Sequence, residues 1–132
     1  MTDRLGYMFD AQKALQTRLG HSFDEMTVQE KTAYIKEYSV HLNQEVNEAL
    51  YELPFFKPWK DYNGMEPEDV DRAFDAFVEE MIDAWHFFMN MLLPLGVSAS
   101  QFYDAYVKKN MINHKRQDDG YKYTKTKEDI DG

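Results

Sequence analysis

The sequence predicts an all-α protein, a compact antiparallel four-helix bundle. Apolar residues recur at three- and four-residue steps through long stretches, as one face of a helix requires. Two tetrads, Thr27-Val28-Gln29-Glu30 and Ser98-Ala99-Ser100-Gln101, have the capping-box form that opens a helix. The connections between the stretches are short, which favours antiparallel neighbours, and no convincing strand is legible.

The first helix is predicted from Asp3 to Leu19, with Tyr7 or Met8, Ala11 and Leu15 at helical spacing and Gly20 as its stop. The second opens at the Thr27 box and carries Tyr34, Ile35, Tyr38, Leu42, Val46, Ala49, Leu50 and Leu53 before Pro54 ends it. An aromatic and basic loop follows, Phe55-Phe56-Lys57-Pro58-Trp59-Lys60. Pro67 suits the first position of the third helix, and Glu68, Asp69 and Asp71 complement its positive end. Val70, Phe74, Phe77, Met81, Trp85, Phe88 and Leu92 make that helix nearly apolar all round toward its end, which reads as buried. The fourth runs from the Ser98 box through Phe102, Tyr103, Tyr106, Val107 and Met111 toward Gly120. Residues 1–121 read as a single all-α catalytic domain and 122–132 as a polar tail.

The chain has 132 residues, one domain's worth, with 43% hydrophobic and 15% aromatic residues, so it is not disordered over most of its length. A core this small makes self-association a natural way to bury more. The net charge of −9 argues against nonspecific nucleic-acid binding. The absence of cysteine excludes a disulfide scaffold, a cysteine zinc site and a thiol nucleophile, and fits a cytoplasmic setting. No signal-peptide core is visible, and the apolar run Phe87–Leu95 is too short and polar to span a bilayer.

Glu45 and Glu48 on the second helix, and Glu80 and Asp83 on the third, are acid pairs at i,i+3, which puts each pair on one helix face. Four converging carboxylates repel one another unless a cation sits among them. Mg²⁺ is the natural cation, a hard ion that keeps waters and phosphates as further ligands, and Mn²⁺ substitutes on the same oxygens. Spacing alone leaves a second reading open, since acid pairs on solvated faces arise by chance. Glu45 continues the stripe through Tyr38 and Leu42, however, and Glu80 and Asp83 fall within an apolar run. His86 reads as a hydrogen-bonded core histidine before it reads as a ligand.

Lys108-Lys109-Asn110-Met111-Ile112-Asn113-His114-Lys115-Arg116-Gln117 concentrates positive charge in an acidic chain. By itself it reads as a basic helix end complementing its own dipole. Beside an acidic metal site, a phosphate-bearing ligand accounts for both. Trp59 and Phe56 either stack on a base or cap the bundle.

EVNEAL, FFKPWK, EEMIDAWHF and YVKKNMINHKRQDDGY, in this order and spacing, resemble the all-α dimeric dUTPase family within the wider MazG-like nucleoside triphosphate pyrophosphohydrolases. The resemblance covers Gln12 to Tyr121 and points to a compact, phage-type member. It implies hydrolysis of a deoxynucleoside triphosphate to monophosphate and pyrophosphate, with dUTP favoured. It implies Mg²⁺ on Glu45, Glu48, Glu80 and Asp83, and catalysis by Glu45 and Glu48, with Glu45 activating water. Lys60, Lys109, Asn113, Arg116 and Tyr121 match phosphate and sugar contacts, and Gln12, Gln16 and Trp59 match base contacts. It implies a homodimer or homotetramer acting in the cytoplasm, the host's if the source is viral. One departure stands out. Larger members carry an extra helical segment between the HF and KNxxN motifs, which helps close the base pocket, and this chain has room only for a turn and a short helix. Purine substrates, dGTP or dATP, are therefore an alternative. A non-catalytic helical interaction protein on the same scaffold is another.

Overall fold

The computed structural model describes residues 3–120. Among these the protein is all-α, with four α-helices and no strand. The chain divides after Val97 into two compact units. The first holds α1 (Arg4–Arg18), α2 (Val28–Glu52) and α3 (Pro67–Leu92), with short 3-10 turns at Phe23–Glu25 and Leu93–Leu95. The second holds α4 (Ala99–Asp118). Tyr121 and the predicted tail 122–132 lie outside the described residues. Among the described residues no helix is long and apolar enough to cross a membrane.

Local chemistry sets the helix ends. Asp3 caps α1 by accepting the Gly6 N–H at 2.8 Å. Gly20, at φ +100°, turns the chain out of it, a conformation that favours glycine. Thr27 Oγ1 accepts the Glu30 N–H and Glu30 Oε1 accepts the Thr27 N–H, both at 3.1 Å, which closes the predicted box at the start of α2. Pro67 is the first residue of α3, where the N–H it lacks would have no partner in any case. Ser98 and Gln101 repeat the box on α4, at 3.0 and 3.1 Å.

α2 and α3 form the scaffold of the first unit. The Tyr38 and Phe87 rings lie 5.8 Å apart, and the Glu45 and Glu80 carboxylates meet seven residues away on each helix, so the two helices run antiparallel. Phe23, Tyr34 and Leu93 form a buried cluster with Met26 and Tyr38 packed against it. α1 lies over this end of the pair, with Phe9 against Trp85 at a 6.5 Å ring separation.

One expectation is corrected here. The sequence reads α3 as a buried helix, yet Phe74, Val78 and Ile82 are 50%, 54% and 50% exposed. Contacts between α1 and α3 include Phe9 with Trp85 and Gln12 with Asn90, in the second half of the helix, while this earlier stripe stays open to solvent.

Candidate active site

On α2, Glu45 and Glu48 lie one turn apart, and Glu80 faces them from α3. Each of the three offers a carboxylate oxygen, and these oxygens all lie within 4.8 Å of one another. Ala49 and Ala84, one turn beyond Glu45 and Glu80, are buried, so little side-chain bulk stands beside the acids. Glu45 and Glu80 are half-buried, and Glu48 is exposed. Asp83 is also exposed and stands outside the group of three, although its charge still acts on Glu45.

Glu45 is the strained member. Its Oε2 is buried and has no hydrogen-bond partner. Burial, a hydrogen bond to Glu80 and the charges of Glu48, Glu80 and Asp83 push its carboxyl up to about 7. A buried acceptor without a donor is costly. The donor set is all oxygen and acidic, and a hard divalent cation would satisfy it. The residues present therefore fit such an ion.

Two turns along the same seam lies a different chemistry. Gln12 and Gln16 on α1 are buried at 4% and 3% exposure. Gln12 Nε2 donates to Asn90 Oδ1 at 2.7 Å. Gln16 Oε1 accepts from the Tyr34 hydroxyl at 2.9 Å and the Tyr38 hydroxyl at 3.3 Å. Burial pushes the Tyr34 hydroxyl well above its ordinary range, with Tyr38 adding to the effect, so Tyr34 stays protonated and a donor. Between the amides and the carboxylates stand the rings of Tyr38, His41 and Phe87, with centroids 5.5–5.8 Å apart.

Trp59 and Lys60 sit on the α2–α3 loop. Trp59 is 77% exposed, and the Lys60 ammonium lies 6.0 Å from the centre of the Tyr62 ring. Phe56 packs its ring 5.6 Å from Tyr51, and Phe55 holds a positive φ of 68°. Lys109, Asn113 and Arg116 share one face of α4 by their i,i+4 and i,i+3 spacing, and all are exposed. His86 is exposed and lies outside the acid group, which corrects its reading as a core histidine. Sequence reasoning missed Asn90 as the buried partner of Gln12. The signal was an amide inside the apolar run Phe87–Leu93, where a polar residue needs a partner.

Comparison with known proteins follows the same residues. The profile of a family described as dUTPase matches residues 4–101, a span that includes both acid pairs. A dCTP pyrophosphatase of Enterobacteria phage LZ5 is 32% identical over 143 aligned positions, covering 90% of this chain and 83% of that protein. A dCTP pyrophosphatase of Enterobacteria phage T4 is 29% identical with the same coverage. No solved structure matches.

Proposed function

This chain belongs to the dUTPase family, and from that premise we propose that it hydrolyses the pyrimidine deoxynucleoside triphosphates dCTP and dUTP to the monophosphate and pyrophosphate. The observation that carries this reading is the convergence of Glu45, Glu48 and Glu80 around the buried, unpartnered Glu45 Oε2. A non-catalytic module gains nothing from holding these repelling charges together. The relatives are named for dCTP and the family for dUTP, and both names support a pyrimidine.

Glu45, Glu48, Glu80 and Asp83 would hold Mg²⁺, or Mn²⁺ in its place. The ion's contribution when bound is to neutralise phosphate charge and acidify water. Glu45 would activate the attacking water as general base, its carboxylate accepting the proton that the water gives up. Water adds across the anhydride joining the α- and β-phosphates, the bridging P–O bond breaks, and pyrophosphate leaves. Lys60, Lys109, Asn113, Arg116 and Tyr121 bind the phosphates and sugar, with Arg116 suited to paired oxygens. Gln12, Gln16 and Trp59 bind the base. The active form is a homo-oligomer.

Pyrophosphate release from dCTP, dUTP, dTTP, dATP, dGTP and the ribonucleotides, with Mg²⁺ or Mn²⁺, tests the proposal. Release is expected from dCTP and dUTP. Glu48→Gln and Asp83→Asn are expected to lower kcat by at least about 100-fold while the helical circular dichroism is retained. No release from any nucleotide with either metal would sink the reading. Turnover confined to dATP or dGTP would replace the pyrimidine with a purine.

A further inference from the structure

His41 lies on α2 one turn before Glu45, on the same helix face and about 6 Å along the axis. The register that sets Tyr38 against Phe87, and Glu45 against Glu80, sets His41 across the seam from Ala84, whose side chain is a single methyl. The imidazole meets the Tyr38 ring edge-on at 5.5 Å and the Phe87 ring at 5.6 Å, and these two contacts hold it in place. Its side chain stays 42% exposed, so a ligand can reach it. Nε2 stands 3.7 Å from Glu37 Oε1, which is too long for a hydrogen bond. Among the described residues, neither ring nitrogen of His41 is hydrogen-bonded.

In the layer of rings beside the carboxylates, His41 alone has hydrogen-bonding capacity to spare. Phe87 has no polar side-chain atom, and Tyr38 commits its hydroxyl to Gln16 at 3.3 Å. The sugar of a nucleotide is the part next to the α-phosphate. With phosphates at the carboxylates, the sugar falls one turn along the seam, at these rings. Deoxyribose presents one hydroxyl, at C3′, and an apolar edge at C2′. The layer has the same division: one imidazole beside two largely apolar rings. We propose that His41 is a substrate-contacting, specificity-determining residue that hydrogen-bonds the 3′-hydroxyl of the deoxyribose. This rests on the pyrophosphohydrolase reading above.

The chemistry of the two groups matches. A neutral imidazole carries one N–H and one lone pair, and a hydroxyl both donates and accepts. The contact therefore forms with either tautomer and needs no change of charge beside the acids. The 3′-hydroxyl takes no part in the reaction. A bond to it acts by fixing where the α-phosphate lies relative to Glu45, so that binding energy remote from the reacting atoms goes into orientation. His41 belongs to neither acid pair, and it is the packing of α2 on α3 that brings its ring to the seam. A substrate without the hydroxyl leaves the imidazole unpaired in a layer otherwise closed by rings, which makes its absence costly.

The measurement is kcat/KM with Mg²⁺ for dCTP and dUTP and for their 2′,3′-dideoxy counterparts, which lack only that hydroxyl, in the wild type and in His41→Phe. The wild type is expected to prefer each deoxynucleotide over its dideoxy counterpart by at least about fivefold. His41→Phe keeps a ring against Tyr38 and Phe87 and removes both nitrogens. Its preference is expected to fall below about twofold, because only the substrates that carry the hydroxyl lose a partner. A histidine that only packs the seam would lower all four substrates by one factor and leave the preference unchanged. That outcome, a variant preference that stays above about twofold, or a wild-type preference below about fivefold overturns the proposal. The wild-type comparison depends on no variant folding. Wild type that hydrolyses neither dCTP nor dUTP sinks the underlying function, and this assignment with it.

Discussion

The two oxygens of Glu45 have different surroundings. One shares a hydrogen bond with Glu80, and the other is buried with no partner. In metal-free protein this arrangement favours the protonated acid, so the folded chain holds a proton that the unfolded chain releases near pH 4.5. Stability from this residue is fully present below about 4.5 and is lost as the pH rises through about 7. The loss is on the order of 1–3 kcal/mol, the larger value being discounted because the carboxyl is only half-buried. Metal-free wild type should therefore melt several degrees lower at pH 8 than at pH 5, and Glu45→Gln should flatten that slope. At pH 8, added Mn²⁺ should raise the melting temperature of the wild type and leave Glu45→Gln unmoved. Thermal scans at both pH values check this, and a Glu45→Gln protein with the wild-type slope would count against the geometry. The acid pairs were legible in the sequence because i,i+3 spacing fixes which residues share a face. Their unequal burial was not legible, because Asp83 and Glu48 face solvent for reasons that only the packing of α2 on α3 determines.

At the scale of the helix, α2 depends on its first turn. Thr27 and Glu30 satisfy each other's backbone N–H groups, and Lys31 N–H returns to the Thr27 carbonyl at 2.9 Å. Thr27→Ala removes the hydroxyl acceptor and should cost about 1 kcal/mol, read as a lower urea midpoint at unchanged slope. Glu45 lies about 27 Å further along the helix axis, so kcat should stay within about twofold of wild type. A large loss of kcat with unchanged stability would contradict that separation. Such ends were readable in advance because they are local: the Thr27 and Ser98 boxes, Pro67 and Gly20 all act within a few residues. The partners of long polar side chains were not. Gln12 lies 78 positions from Asn90, and Gln16 lies 18 and 22 from the tyrosines that bind it. Resemblance placed both glutamines at the base, but no spacing rule names Asn90, since its role depends on where α1 crosses α3.

For the molecule as a whole, the question is what covers the open side of α3. Among the described residues the buried apolar set is small: Phe9, Phe23, Tyr34, Ala49, Ala84, Met89 and Leu93. Phe74, Val78 and Ile82 recur every four residues on one stripe and stay about half exposed, with Met81 beside them. Isolated exposed apolar residues are ordinary, but a continuous stripe of them on one helix marks an association surface. The stripe itself carries no charge, and the exposed Asp71, Asp75 and Glu79 run beside it as a polar rim. A second copy of the chain is thus the occupant we expect, in keeping with the homo-oligomer proposed above. Light scattering on the wild type should give at least twice the 15.7 kDa chain mass. Val78→Asp places a charge at the centre of the stripe and should shift the protein toward monomer, lowering the apparent affinity of association by at least about 100-fold. Glu80 and Asp83 point to a different side of α3 from Val78, so the monomeric variant should still bind Mn²⁺ by calorimetry. A wild type that runs as a monomer at every concentration, or a Val78→Asp protein that keeps its full mass, would show that something other than a second copy covers this face.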